Sequence, residues 1–397
     1  MSTKTRKISV LLAVAVIFSM ILSACQAPAA NQPTQPAEPP VTEPTEVPAV
    51  EEPTEPEAPA EEPTEAEAPA EEPTEAEAPA GDASGVSVCQ VTDTGGIDDK
   101  SFNATAWAGA LRAQEELGVE AKYLESQQQT DYERNINAFI EEGCDLIVPV
   151  GFLIEADTKA AAEANPDQKF AIVDVSYDPP IDNVLALVFA TDEAGFLAGY
   201  LAAGMTQTGA VGTFGGIPIP SVTIFMDGFY YGVQYYNQQK GTDVQVLGWD
   251  PANPDSGLFA GNFESTDDGR TLGETLLSEG ADIIMPVAGP VGLGTAVAVQ
   301  NAGNAWIIGV DTDWTISAEE YADVVLTSVV KKMDVAVFDA TKAVVDGTFQ
   351  GGTYLGTLAN GGVGLGTIAD AAPQELLDEV EQVRQGIIAG DITVGGN

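Results

Sequence analysis

Residues 86–124, VSVCQVTDTGGIDDKSFNATAWAGALRAQEELGVEAKYL, set a pattern that repeats through the rest of the chain. Residues 86–91 form a short Val-rich run of the kind that makes a buried strand. Residues 100–117 have the length of a helix, and 120–124 are strand-like again. The spacing then predicts a helix over 132–142, a strand over 145–150, a helix over 154–164 and a strand over 170–175. The pattern restarts with helices over 193–205, 225–237, 269–278 and 295–301, interleaved with strands over 210–214, 244–247, 282–287 and 306–310. Short β-branched runs separated by helices belong to parallel βαβ units whose sheets are covered on both faces. Two doubly wound α/β halves in tandem follow. Ligands of such sheets sit beyond the carboxyl ends of the strands, so functional residues are expected just after each strand.

Ahead of this region the composition is different. Lys4, Arg6 and Lys7 precede an uncharged run over 8–22 that ends in Leu22-Ser23-Ala24-Cys25. A basic start, an apolar stretch of about fifteen residues against the roughly twenty of a membrane span, and small residues before a cleavage point read as a secretory signal peptide over 1–25. Its last four residues resemble the bacterial lipobox, which makes Cys25 the expected lipidation site and places the protein at the cell membrane, lipid-anchored on the extracytoplasmic face. Residues 26–85 hold 14 of the 25 prolines and 16 acidic residues with no Lys or Arg, including three successive decamers of the type EEPTEAEAPA from Glu51, Glu61 and Glu71. So little apolar surface and so much like charge predict a disordered acidic tether. In polyproline II it would reach about 190 Å at roughly 3.1 Å per residue.

Residues 86–397 carry 45 acidic and 12 basic residues, a net charge of −33. That field repels phosphate backbones, so nucleic acid is not expected as a partner, and a neutral or cationic small molecule is favoured. Cys89 and Cys144 are read as lying in two predicted strands. Counted back from the strand ends at Thr92 and Val150, they are offset by about three residues, too far for a bridge between parallel neighbours. Both are expected as buried free thiols. The chain has no His, no G-x-S-x-G elbow and no Cys–His pair, which removes imidazole-based metal sites and the usual hydrolytic nucleophiles. No catalytic residue, metal ligand or cofactor is assigned.

The residues at the strand ends carry a resemblance. VTDTGGIDDKSFN (91–103) resembles the opening signature of the basic membrane protein family of bacterial solute-binding lipoproteins, which includes purine-nucleoside receptors. The resemblance continues in order through GAVGTFGGIPIPSV (209–222), FMDGFYYG (225–232), GADIIMPVAGPVGLG (280–294), IIGVDTDW (307–314), SVVKKMDVAV (328–337) and LANGGVGLG (358–366). It implies two lobes of the type I periplasmic-binding-protein kind joined by a multi-strand hinge. The chain would cross near Phe189, return near Asp311 and cross again around 354–359. The first lobe would then comprise about 86–188 plus 311–353, and the second about 189–310 plus part of 354–397. The implied partners are a nucleoside and the permease and ATPase subunits of an ABC importer.

The resemblance gives Phe102 and Phe263 as rings stacking on a base, with Asp93 and Asn103 hydrogen-bonding it. Asp174 and Asp311 close two predicted strands; carboxylates accept paired hydrogen bonds from ribose hydroxyls, Lys331 adds a point donor, and Gly289 permits close backbone approach. Each has a plainer reading: Asp93, Asp98 and Asp174 as turn or capping residues, Phe102 and Phe263 as packing aromatics, Lys331 as part of a solvated helix face. Two departures bear on the cleft. Trp314 stands where the family commonly has Gln, and residues 249–258 read as an insertion near the rim. The alternatives are a receptor or sensor for another polar solute such as a sugar, and a dinucleotide-dependent enzyme built on Gly289, Gly292 and Gly294. The last glycine order is G-x-x-G-x-G rather than G-x-G-x-x-G, a weak match.

Overall fold

The computed structural model describes residues 85–395. The expected signal peptide, Cys25 and all but the last residue of the expected tether lie outside them. Two six-stranded sheets organise the described chain. The first contains β1 (Ser87–Val91), β2 (Glu120–Leu124), β3 (Leu146–Pro149), β4 (Lys169–Val173), β5 (Val184–Phe189) and β11 (Gly352–Gly356), in the order β11-β5-β4-β3-β1-β2, all parallel. The second contains β6 (Ala210–Gly215), β7 (Gln245–Leu247), β8 (Ile283–Val287), β9 (Trp306–Asp311), β10 (Val325–Lys331) and β12 (Val363–Leu365), in the order β12-β10-β9-β8-β6-β7. Only β12 runs antiparallel there, against β10.

Central strands such as β3, β8 and β10 are buried at every residue, as parallel strands covered by helices on both faces must be, whereas the edge strands β2 and β7 are partly exposed. The covering helices of the first sheet are α1 (Phe102–Leu117), α2 (Tyr132–Glu142) and α3 (Glu155–Ala164). Those of the second are α4 (Thr191–Met205), α5 (Pro220–Lys240), α6 (Thr266–Ser278), α7 (Val291–Ala302) and the single turn α8 (Trp314–Ser317). Helix α9 (Met333–Val345) packs beside α1 on the first sheet, and α10 (Gln374–Ala389) beside α4 on the second. In each sheet the strand order reverses beside the strand that begins it, β1 or β6, which is where doubly wound sheets open a crevice.

The chain passes between the lobes three times: between β5 and α4, between β10 and α9, and between β11 and β12. The second passage corrects the expected boundary at Asp311. The run VLTSVVK (325–331) pairs with β9 in the second sheet, Val330 opposite Asp311, so the chain returns to the first lobe only at Lys332. Seven buried residues would have no place at the covered edge of the first sheet, where β11 already pairs with β5.

The cysteines are a second correction. Cys89 and Cys144 form a disulfide, with Cα atoms 6.4 Å apart. The register does place Cys89 opposite Ile147, the offset counted from the sequence. But Cys144 is not on the strand. Gly143, at φ +82°, ends α2 in the left-handed conformation, and Cys144 lies on the bend that follows, ahead of β3. That bend carries it back toward β1, so the strand offset does not govern the distance.

Trp314 points away from the cleft. Its buried ring packs over Gly309 and Gly292 and its indole N–H donates to the Val310 carbonyl at 3.1 Å. In the 249–258 segment, Trp249 is also buried, and its indole N–H donates to Asp227 at 2.9 Å, which pins the segment to α5.

Candidate functional site

The carboxyl ends of the two sheets face a common cavity with room for about 70 Å³ of water-sized molecules. Its wall includes Asp93, Phe102, Asn103 and Asp174 from the first lobe, and Phe263, Gly289, Asp311 and Lys331 from the second. All eight residues singled out in the sequence therefore meet at one place.

Lys331, the last residue of β10, is the centre of the charge. Only 2% of its side chain is exposed; its Nζ lies 2.6 Å from Asp174 Oδ2 and 3.3 Å from Asp311 Oδ1. Three rings surround the same ammonium, with centroids 4.5 Å (Phe102), 5.4 Å (Phe225) and 5.9 Å (Phe189) away, a cation–π arrangement that partly replaces lost hydration. Burial works against a charged lysine, but the attraction of Asp174 and Asp311 outweighs it and holds the ammonium above its ordinary range. Burial pushes the Asp174 carboxyl upward while Lys331 pulls it down; at 2.6 Å the contact favours the ionised pair. The plain reading of Lys331 as a solvated helix residue is excluded by its burial.

Asp93 follows β1 and accepts hydrogen bonds at Oδ1 from the Tyr132 hydroxyl and the Thr94 N–H. Its Oδ2 has no protein partner among the described residues and lies against Gly151, where any Cβ would displace it; at φ +107° that position also requires glycine. Burial raises the Asp93 carboxyl to about 6 despite the two donors. Asn103 is largely committed within the protein. Its Oδ1 accepts from the Asp93 N–H at 3.0 Å and its Nδ2 donates to Asp99 at 3.1 Å, with the Thr94 carbonyl at 3.5 Å. It orients Asp93 more than it offers itself to a ligand. Gly289, at φ +55° with open space where a side chain would stand, leaves its backbone bare to the cavity.

Sequence reasoning missed several wall residues. Asp98 is exposed, and it is the neighbouring Asp99, 4% exposed, that caps α1 by accepting from the N–H groups of Ser101, Asn103 and Ala104. Burial raises Asp99 to about 6 as well, against those three donors. An Asp shortly before a helix start was a capping signal that could have identified it. Ser101 donates to Asp311 Oδ2 at 2.9 Å. Phe152, Ser221 and Phe225 also line the wall; Ser221 and Phe225 lie in the family blocks, but nothing in their local pattern marked them as facing a cavity. On the far side of Asp311 and Lys331 an open groove of about 830 Å³ runs past Lys100, Lys332 and Arg384.

Residues 86–397 match the Bmp family, described as ABC transporter substrate-binding proteins, PnrA-like. The chain belongs to this family. It is 33% identical over 327 residues to the ABC transporter nucleoside-binding protein BmpA of Lactococcus lactis, covering 77% of this chain and 87% of the relative. A lipoprotein of Pyrococcus abyssi is 32% identical over 329 residues, covering 77% and 78%. Among solved structures, an ABC transporter system solute-binding protein of Aeropyrum pernix superposes with a TM-score of 0.70 at 32% identity, over 78% of this chain and 92% of that one. This substrate-binding protein therefore has the two-lobed fold of the family. Its cavity lies beyond the strand ends, where doubly wound sheets open a crevice.

Proposed function

We propose that this substrate-binding protein captures a nucleoside for an ABC importer and is held at the outer face of the cell membrane by a lipid on Cys25. The observation that carries the reading is one aromatic ring from each lobe, Phe102 and Phe263, on the same cavity as Asp93, Asp174, Asp311 and Lys331. Rings on both sides suit a flat base, each stacking surface contributing roughly 1–3 kcal/mol. The free Oδ2 of Asp93 is an acceptor for a base N–H, and Asp174, Asp311 and Lys331 supply the acceptors and donor that ribose hydroxyls need. The nucleoside-binding relative from Lactococcus and the lipoprotein from Pyrococcus support the ligand and the anchor respectively. About 70 Å³ is well below the roughly 300 Å³ at which small-molecule sites begin. The lobes must therefore part for the solute to reach its place, and the closed form is the one presented to the permease and ATPase subunits.

Calorimetry with inosine, adenosine, guanosine and free ribose, on the intact protein and on Phe102→Ala, tests the ligand. Nucleosides should bind, ribose alone weakly, and loss of the ring should weaken nucleosides by roughly 1–3 kcal/mol. Tight ribose binding that is indifferent to the ring would instead make the protein a sugar receptor. For the anchor, Cys25→Ser should abolish incorporation of labelled fatty acid; persistent labelling would refute it.

A further inference from the structure

We propose that Lys331 is a latch that draws the two lobes together before any solute arrives, by bridging Asp174 of the first lobe to Asp311 of the second. The need for one follows from charge. Residues 86–190 with 332–356 carry 22 acidic and 8 basic residues, a net −14, and residues 191–331 with 357–397 carry 23 and 4, a net −19. Two bodies of like charge resist closure, the more so at low ionic strength.

Four polar contacts join the lobes at the cleft: Lys331 to Asp174 at 2.6 Å, Ser101 to Asp311 at 2.9 Å and to the Val310 carbonyl at 3.3 Å, and Lys100 to Glu320 at 2.8 Å. The last is about half exposed at both ends, a class of pair that contributes little. The first is buried at both ends. Closing the cleft without Lys331 would bury Asp174 and Asp311 together with no cation between them, which is strongly unfavourable. Lys331 removes that obstacle, and the rings of Phe102, Phe189 and Phe225 receive its ammonium as it loses water.

The backbone independently marks the same places. Among the described residues, three other than glycine have φ in the left-handed region: Lys100 at 55°, Asp174 at 64° and Asp311 at 69°. Each takes part in one of these contacts between lobes. Such conformations persist only where the surroundings hold them, and they gather at switching elements. The latch does not depend on which solute binds.

The test measures lobe separation in the full chain without solute. Spin labels are placed through unnatural amino acids at exposed Gln128 and Asp267, one on each lobe, leaving the native cysteines untouched. Dipolar spectroscopy should show the short distance dominating in the otherwise native protein. Lys331→Met and Asp174→Asn should each lower the ratio of short to long distances tenfold or more. Should Lys331→Met fail to fold, judged by circular dichroism, Asp174→Asn decides alone. A long distance dominating in the native protein, or a folded variant that keeps the native distribution, overturns the proposal.

Discussion

The two lobes use one strand order and end their strands in partly matching ways. The third strand of each, β3 or β8, is followed two residues later by a glycine with left-handed φ, Gly151 at 107° and Gly289 at 55°. At the end of the fourth, β4 or β9, stands an aspartate in the same region of φ: Asp174 just after β4, Asp311 as the last residue of β9. At the first and fifth strands the lobes diverge. Asp93 follows β1, whereas β6 runs into Gly216 and Ile217; β5 ends in Phe189, whereas β10 ends in Lys331. A shared backbone thus delivers a matched pair of carboxylates, and the differences supply one cation to serve both and one further acid on one side only. Symmetry provides the geometry of the cleft, and its violation gives the two walls different polarity.

Reinforcement also differs, because the described disulfide belongs to the first lobe alone. Replacing Cys89 and Cys144 by Ala should lower stability by about 4 kcal/mol, the chain-entropy value for a loop of 55 residues. Denaturant titration should then show the first lobe unfolding ahead of the second; coincident transitions with unchanged midpoint would remove this asymmetry.

The matched carboxylates can be separated by substitution. Asp311→Ala should weaken binding of the proposed nucleoside by about 1–3 kcal/mol, by leaving ligand hydroxyls without an acceptor. Calorimetry on Asp174→Ala beside it shows whether the two positions are equivalent in function as they are in topology.

A smaller effect concerns the unmatched acid. With Asp93 raised to about 6, its acceptor form is present above that pH and lost as pH falls through it. Affinity should drop about tenfold at pH 5, one unit below, for a ligand that needs the carboxylate. Asp93→Asn should flatten the profile to whatever Asp99, titrating in the same range, contributes. A profile unchanged in that variant would assign the dependence to Asp99.

The smallest expected effect is that of salt. Raising ionic strength from 0.1 to 1 M shortens the screening length from about 10 to 3 Å, which weakens repulsion between the lobe surfaces more than it weakens a buried pair. The closed population should rise, modestly in the native protein and more in Lys331→Met; a fall in the native protein would mean that exposed pairs such as Lys100–Glu320 hold the cleft.

Much of this was readable before any coordinates. Hydrophobic alternation located β1 to β4 and β6 to β9 with the helices between them, because buried parallel strands are short apolar runs with breaks on both sides. The eight cavity residues were found because the doubly wound pattern and the family motifs both point to strand ends. What failed was non-local. The run at 325–331 has the length and β-branched content of a strand, and only its pairing with β9 decides which lobe owns it. The disulfide depends on a bend at Gly143 that strand counting cannot register. The left-handed φ of Asp174 leaves no mark in VDV, a string that would continue equally well as a strand.

The Cys89–Cys144 bond has a consequence for how the protein is made. Such bonds are kept open by the thiol-reducing cytoplasm of most cells and close in oxidising surroundings. If the chain is exported as proposed, the first lobe is completed only after export, whereas the second, with no cysteine, needs no oxidant. Under that proposal, maturation of the receptor is coupled to its arrival in the compartment from which it would take its solute.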